Sequence, residues 1–138
     1  VDVVQYMQKL DFTILTSISE GQPLSVLESM AARRPCVTTE VGCCRELLEG
    51  APGDTLGRAG YCVPPMYRQG LADAMEKLCA SRALREKLGA VGQKRVAQAY
   101  RHEQMLEQYR ALYAETAQAH GLPDQTDSEE LWLELGSN

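Results

Sequence analysis

Two glutamates, Glu20 and Glu28, stand eight residues apart in the stretch Ser19-Glu20-Gly21-Gln22-Pro23-Leu24-Ser25-Val26-Leu27-Glu28. A carboxylate can accept hydrogen bonds from two vicinal hydroxyls at once, as an acidic residue does on the ribose of a bound nucleotide. The residues between the acids suit a phosphate. Pro23 fits the first turn of a helix, and a helix start offers unpaired N–H groups and the positive end of its dipole. Gly21 admits close approach of backbone to a ligand. The order acid, anion cradle, acid describes a grip on a sugar nucleotide. A plainer account stays open beside it: Glu20 favours the helix dipole and Glu28 is simply solvated.

Helical arithmetic places the second acid. On a helix running from Leu24 to Arg33, Glu28 lies roughly 40° from Leu24, at the margin of an apolar arc of Leu24, Val26, Leu27, Met30 and Ala31. Its neighbours three and four residues away are Leu24, Ser25, Ala31 and Ala32. None is basic, so no helical ion pair accounts for the charge.

Such a loop needs strands to position it. The β-branched, apolar run Phe12–Ser17 reads as a buried strand directly before Glu20, and Pro35–Thr39 and Gly60–Val63 read as two more. Arg34-Pro35 ends the intervening helix, because the residue before proline disfavours the α region. A short helix is expected over Cys43–Glu49, a Gly/Pro-rich loop from Gly50 to Gly60, and helices over residues 2–9, Leu71–Cys79, Ala83–Tyr100 and Glu103–Ala119. Strands alternating with helices imply an α/β fold with a parallel sheet covered on both faces. Three strands make a partial Rossmann-like sheet. In open sheets of this kind ligands bind beyond the carboxyl ends of the strands, which is where Ser19–Pro23 falls. Gly42, after the second strand, reaches the same crest, either lining a cleft or serving as a turn glycine. Residues 1–120 are expected to form the folded portion, and 121–138 an acidic tail whose late LWLEL can make a short helix.

Composition narrows the function classes. The 138 residues carry 14 Lys and Arg against 19 Asp and Glu, a net charge of −5, which argues against a general nucleic-acid surface. No stretch is long enough to cross a bilayer, and no charged start with an apolar run suggests a signal peptide. The first residues read as the middle of a fold, so the chain is expected to belong to a larger protein. Five cysteines, Cys36, Cys43, Cys44, Cys62 and Cys79, lack CxxC spacing, and the two histidines, His102 and His120, lie far downstream. Reduced thiols of a cytoplasmic protein are expected, with no metal site. Arg45 and Glu49 suit a surface pair, His102 a surface position, and Tyr100, Met105, Leu106, Tyr109, Leu112 and Tyr113 a packing stripe.

The extended motif carries a resemblance. Glu20-Gly21-Gln22-Pro23-Leu24-Ser25-Val26-Leu27-Glu28, then Ala31-Ala32, Arg34-Pro35-Cys36-Val37 and Thr39-Glu40-Val41-Gly42, resembles the Glu-x7-Glu donor site of the family 4 retaining glycosyltransferases. Cys44-Arg45-Glu46-Leu47 and Thr55-Leu56-Gly57-Arg58-Ala59-Gly60 make it most similar to the Pel exopolysaccharide subgroup. The resemblance covers about residues 2–115. It implies the C-terminal part of a GT-B fold, two Rossmann-like domains facing across a cleft. It implies that Glu20 contacts hydroxyls of the donor sugar as the catalytic-site acid, that Glu28 receives the nucleotide ribose, and that the backbone around Gln22, Leu24 and Ser25 faces the diphosphate. It implies a nucleotide-sugar donor, UDP favoured, a glycan acceptor held by an N-terminal domain, and no metal or other cofactor. Gln22-Pro23 departs from the family's commoner aromatic-Gly pair. Arg33-Arg34 stands where a glycine-containing turn is usual and is taken as surface variation. On this reading the chain binds donor without turning it over. A non-catalytic α/β interaction module that keeps the fold is the other reading.

Overall fold

In the computed structural model, which describes residues 3–121, nine elements follow in order. They are α1 (Val3–Met7), β1 (Thr13–Leu15), α2 (Leu24–Ala31), β2 (Cys36–Thr39), α3 (Cys44–Glu49), β3 (Gly60–Val63), α4 (Arg68–Ala80), α5 (Arg82–Ala99) and α6 (His102–Ala119). The strands form one parallel sheet in the order β1-β2-β3. Thr13 pairs with Cys36 and Leu15 with Thr38, while Cys36 pairs with Gly60 and Thr39 with Val63. The expected α/β class and all three strands are present.

Alternation along the strands feeds two cores, as a parallel sheet buried on both faces requires. Cys36 joins Val26, Met30, Leu47, Leu48 and Ala59, packed beneath α2, α3 and the later part of α5. Val37, the next residue, joins Val63, Ala74, Leu78 and Leu88 beneath α4 and the start of α5. The small residues of α5 let it cross closely. A Cβ on Gly89 would stand 2.1 Å from the Arg33 carbonyl oxygen, and one on Gly92 would press on Met30.

Several expectations are corrected. β1 is three residues long, shorter than Phe12–Ser17, because only its middle pairs with β2. Leu24 and Ala31 lie outside the apolar arc: both are exposed, and the buried residues of α2 are Val26, Ser29 and Met30. α4 begins at Arg68 and runs through Gly70, where a Cβ would strike the Tyr67 ring and the Val63 side chain. That glycine is a packing requirement.

Arg33 and Arg34 are more than surface variation. Helix α2 ends in a Schellman arrangement, with the Arg33 N–H on the Met30 carbonyl at 3.0 Å and the Arg34 N–H on the Ser29 carbonyl at 2.8 Å. Arg33 has φ +60°, a left-handed conformation that costs a non-glycine residue about 1–2 kcal/mol. The Arg34 guanidinium donates to the carbonyls of Met7 and Gln8, capping α1.

Arg95 on α5 is only 2% exposed. Its Nε donates to Asp54 at 2.7 Å and its Nη1 to the carbonyls of Leu47 and Leu48, at the end of α3, at 3.0 and 3.1 Å. Nη2 donates to Asp54 at 3.2 Å and to the Gly57 carbonyl. The buried charge is thus paired and its donors are engaged, which is what makes its burial tolerable. One side chain ties the 50–59 loop and α3 to α5.

The chain divides into two compact units, Val1–Tyr100 and Arg101–Asn138. In the second, α6 has no buried residue, and Met105, Tyr109, Leu112 and Tyr113 are exposed, with the two tyrosine rings stacked 6.2 Å apart. The expected tail helix around LWLEL lies outside the described residues.

Candidate functional site

The carboxyl ends of β1, β2 and β3 carry three loops, and the first holds most of the residues singled out from sequence. Glu20 is half-buried and accepts a hydrogen bond from the Ser17 hydroxyl at 2.6 Å. Gly21, Gln22, Leu24, Ser25 and Glu28 are exposed, whereas Pro23 is buried beneath them. Pro23 caps α2 with extended backbone, φ −74° and ψ 114°, and its carbonyl receives the amides of Val26 at 3.2 Å and Leu27 at 3.5 Å. The N–H groups of Leu24 and Ser25 precede the first possible intrahelical acceptor and are left for another partner. The Glu28 carboxylate, on the second turn, makes no hydrogen bond or ion pair among the described residues.

The loop after β2 braces the loop after β1. Thr39 donates its hydroxyl proton to the Ser17 carbonyl at 2.5 Å, and the Cys43 amide donates to the Gly21 carbonyl at 3.1 Å. Between them Gly42, at φ +50°, lies so close that a Cβ would stand 2.3 Å from the carbonyl oxygens of both Glu20 and Gly21. Both the backbone angle and the contact demand glycine. The contrast with Gly21 is informative: a Cβ there would meet nothing within 4 Å, so no protein neighbour requires its smallness.

Ser17, Thr39 and Cys43 were not singled out from the sequence. Hydroxyl residues ending two adjacent strands were the available signal, since in a parallel sheet both ends arrive at one crest. The neighbouring charges satisfy each other. Arg45 meets Glu49 at 3.2 Å as expected, but it grips Glu40 more closely, at 2.8 and 2.5 Å. Hydrogen bonds from Arg45 hold the Glu40 carboxyl below the usual glutamate range.

No metal-binding group of three His, Cys, Asp or Glu occurs among the described residues. All five cysteines are free. Burial pushes the Cys36 thiol up to about 11, and burial is also the first cause raising Cys43, Cys44 and Cys62. The vicinal pair is therefore held as thiols, a poor state for nucleophilic or redox chemistry. His102 is exposed at the start of α6.

Three parallel strands with flanking helices, and a helix start at the carboxyl crest of the sheet, define a partial Rossmann-like α/β fold. Comparison with known proteins gives the family. Residues 1–81 match the family described as Glycosyl transferases group 1, and the chain belongs to it. Over 112 residues it is 30% identical to the N-acetyl-alpha-D-glucosaminyl L-malate synthase of Bacillus anthracis, covering 81% of this chain and 28% of that protein. Among solved structures, the sucrose-phosphate synthase of Thermosynechococcus elongatus superimposes with a TM-score of 0.65 at 29% identity, over 79% of this chain and 27% of that one. The chain thus spans little more than a quarter of the length of these relatives. No helix among the described residues is long and apolar enough to cross a membrane.

Proposed function

We propose that this chain carries the donor-binding crest of a family 4 retaining glycosyltransferase, one that takes a UDP-sugar and extends a glycan, with exopolysaccharide synthesis of the Pel type as its setting. The observation that carries the proposal is the braced loop. Ser17 fixes the Glu20 carboxylate, and Gly42 and Cys43 hold the backbone of residues 20–21 from behind. A binding loop held in one conformation spends less of its affinity on ordering.

In this reading Glu20 accepts hydrogen bonds from hydroxyls of the donor sugar and Glu28 from the ribose. Gly21 gives the sugar room, and the amides of Leu24 and Ser25, at the positive end of α2, face the diphosphate. Gln22 lines the same loop. As the bond from the sugar's anomeric carbon to the diphosphate breaks, charge grows on the leaving phosphate, and those fixed dipoles stabilise it. The acceptor's hydroxyl oxygen bonds to the anomeric carbon on the same face of the sugar, and its proton passes to the departing phosphate. No metal is assigned a role. Gly42 serves the site from behind the loop.

Calorimetric titration with UDP and UDP-sugars tests the proposal, beside a Glu28→Ala variant. The expected result is binding that weakens about tenfold or more in the variant, the loss of charge-assisted hydrogen bonds to two hydroxyls. Equal affinity in both proteins would overturn the role given to Glu28.

One observation favours a second reading, an interaction module that keeps the fold. Helix α6 exposes Met105, Tyr109, Leu112 and Tyr113 along one side, a surface of the type that proteins bind. Under that reading Glu20→Ala and Glu28→Ala leave every binding property unchanged.

A further inference from the structure

A second cleft lies at the other end of the sheet, beside the amino ends of β1 and β2. It encloses about 470 Å³ and is lined by Asp11, Arg33, Arg34, Arg82, Arg85 and Glu86. In a chain with a net charge of −5, four guanidinium groups converge there. Two of them are balanced: Arg85 meets Asp11 at 3.0 Å and Arg82 meets Glu86 at 2.7 Å. Among the described residues the Arg34 guanidinium donates only to the neutral carbonyls of Met7 and Gln8, which leaves its charge uncompensated there. The Arg33 guanidinium makes no hydrogen bond or ion pair among the described residues, although Glu86 lies near enough to feel its charge. The surplus is therefore two positive charges.

The backbone gives a second, independent sign. Arg33 occupies a left-handed position, φ +60°, that glycine would fill without strain. Side chains that persist in strained conformations concentrate at binding sites, where the group is kept despite its cost. Here the strained residue is the one whose guanidinium makes no hydrogen bond or ion pair among the described residues.

We propose that this cleft binds a phosphate monoester. A phosphate carries close to two negative charges at neutral pH, matching the surplus, whereas a carboxylate would leave one cation unmatched. Planar guanidinium forks suit its oxygens geometrically. The volume admits more than the phosphate alone, so the ester's remainder has space. The site is separate from the donor crest and does not depend on that assignment. Two sources share this chemistry, a soluble phosphate ester and a phosphatidate headgroup.

The test is a two-dimensional amide NMR titration of the whole chain with inorganic phosphate against sodium chloride of matched ionic strength. A parallel arm measures co-sedimentation with phosphatidate-containing vesicles. The comparison variant combines Arg33→Gly with Arg82→Gln, both at exposed positions, and its melting temperature and UDP affinity serve as controls. Expected are saturable shifts at Arg33, Arg34 and Arg82 below about 10 mM phosphate, weakened at least tenfold in the double variant, with UDP affinity unchanged. Shifts with phosphate alone identify a soluble ester, and co-sedimentation that requires the two arginines identifies the headgroup. Absence of both responses, or responses of equal strength in the folded variant, would overturn the proposal.

Discussion

At Gly42 a single hydrogen atom decides the shape of the crest. Alanine there must adopt φ +50° and push its Cβ against two carbonyl oxygens now 2.3 Å away. Gly42→Ala is expected to cost about 1–3 kcal/mol of stability, read as a lowered urea midpoint. It should also weaken UDP binding, because the backbone of Glu20 and Gly21 must retreat. A variant that keeps its midpoint but binds as before would show that the brace is dispensable. Asp54 gives a residue-scale prediction of another kind. Hydrogen bonds from Arg95, and then from the Leu56 amide, hold its carboxyl below the ordinary aspartate value. A depressed folded value means the unfolded chain binds the proton more readily, so the contribution is complete above about pH 4 and disappears as pH falls through the folded value. Urea midpoints of the wild type should therefore decline more steeply below pH 4 than those of Asp54→Asn, which starts from a lower midpoint at pH 7 because the Arg95 charge has lost its partner. Parallel declines would remove Asp54 from the account. Neither Arg95 nor Asp54 stands out in the sequence, since an arginine within a polar helix reads as solvated. The available hint was Arg95 following Gly89 and Gly92 at spacings of three, on the face where α5 presents its small residues to the core.

Elements were the most legible scale. β1 (TIL) and β2 (CVTT) are β-branched runs beside turn signals, and β3 (GYCV) is a short apolar run stopped by Pro64-Pro65; such runs have few alternatives to a buried strand. The ends of helices were less legible, because a tertiary contact sets them. Helix α4 was expected from Leu71, yet it begins at Arg68 and includes Gly70, whose smallness admits Tyr67 and Val63. Leu24 resembled core from its spacing, yet it is 69% exposed, since the first turn of α2 projects beyond the sheet. At the other end of α2, Arg33 occupies the position that a Schellman motif reserves for glycine, and Arg33→Gly removes the left-handed strain. Allowing for the extra freedom glycine has when unfolded, the net gain should be about 0.5–1 kcal/mol. Thermal melts of the two proteins measure it. A lower melting temperature in the variant would mean that the arginine side chain stabilises the turn by more than its backbone costs.

Among the described residues the crest is open. Gln22, Leu24, Ser25 and Glu28 are all exposed, and so are Ile18, Met66 and Tyr67, which follow the carboxyl ends of β1 and β3. Glycosyl transfer in such an open setting competes with water, and the fixed dipoles at the start of α2 act across a medium that screens them. The segment from Glu20 to Glu28 could be singled out because it is continuous in sequence. The brace could not be, because Ser17, Thr39 and Gly42 meet only after β1 and β2 pair. The expected outcome is that this chain binds UDP yet releases none from UDP-sugars above the spontaneous rate, with or without a glycan acceptor. A coupled assay of UDP release measures this, with a longer parent chain containing the same residues run beside it. Release by the longer chain alone would assign the remaining wall of the cleft to its additional residues. Release by this chain at a comparable rate would mean that the exposed crest completes the chemistry unaided, and the requirement for a second surface would fall.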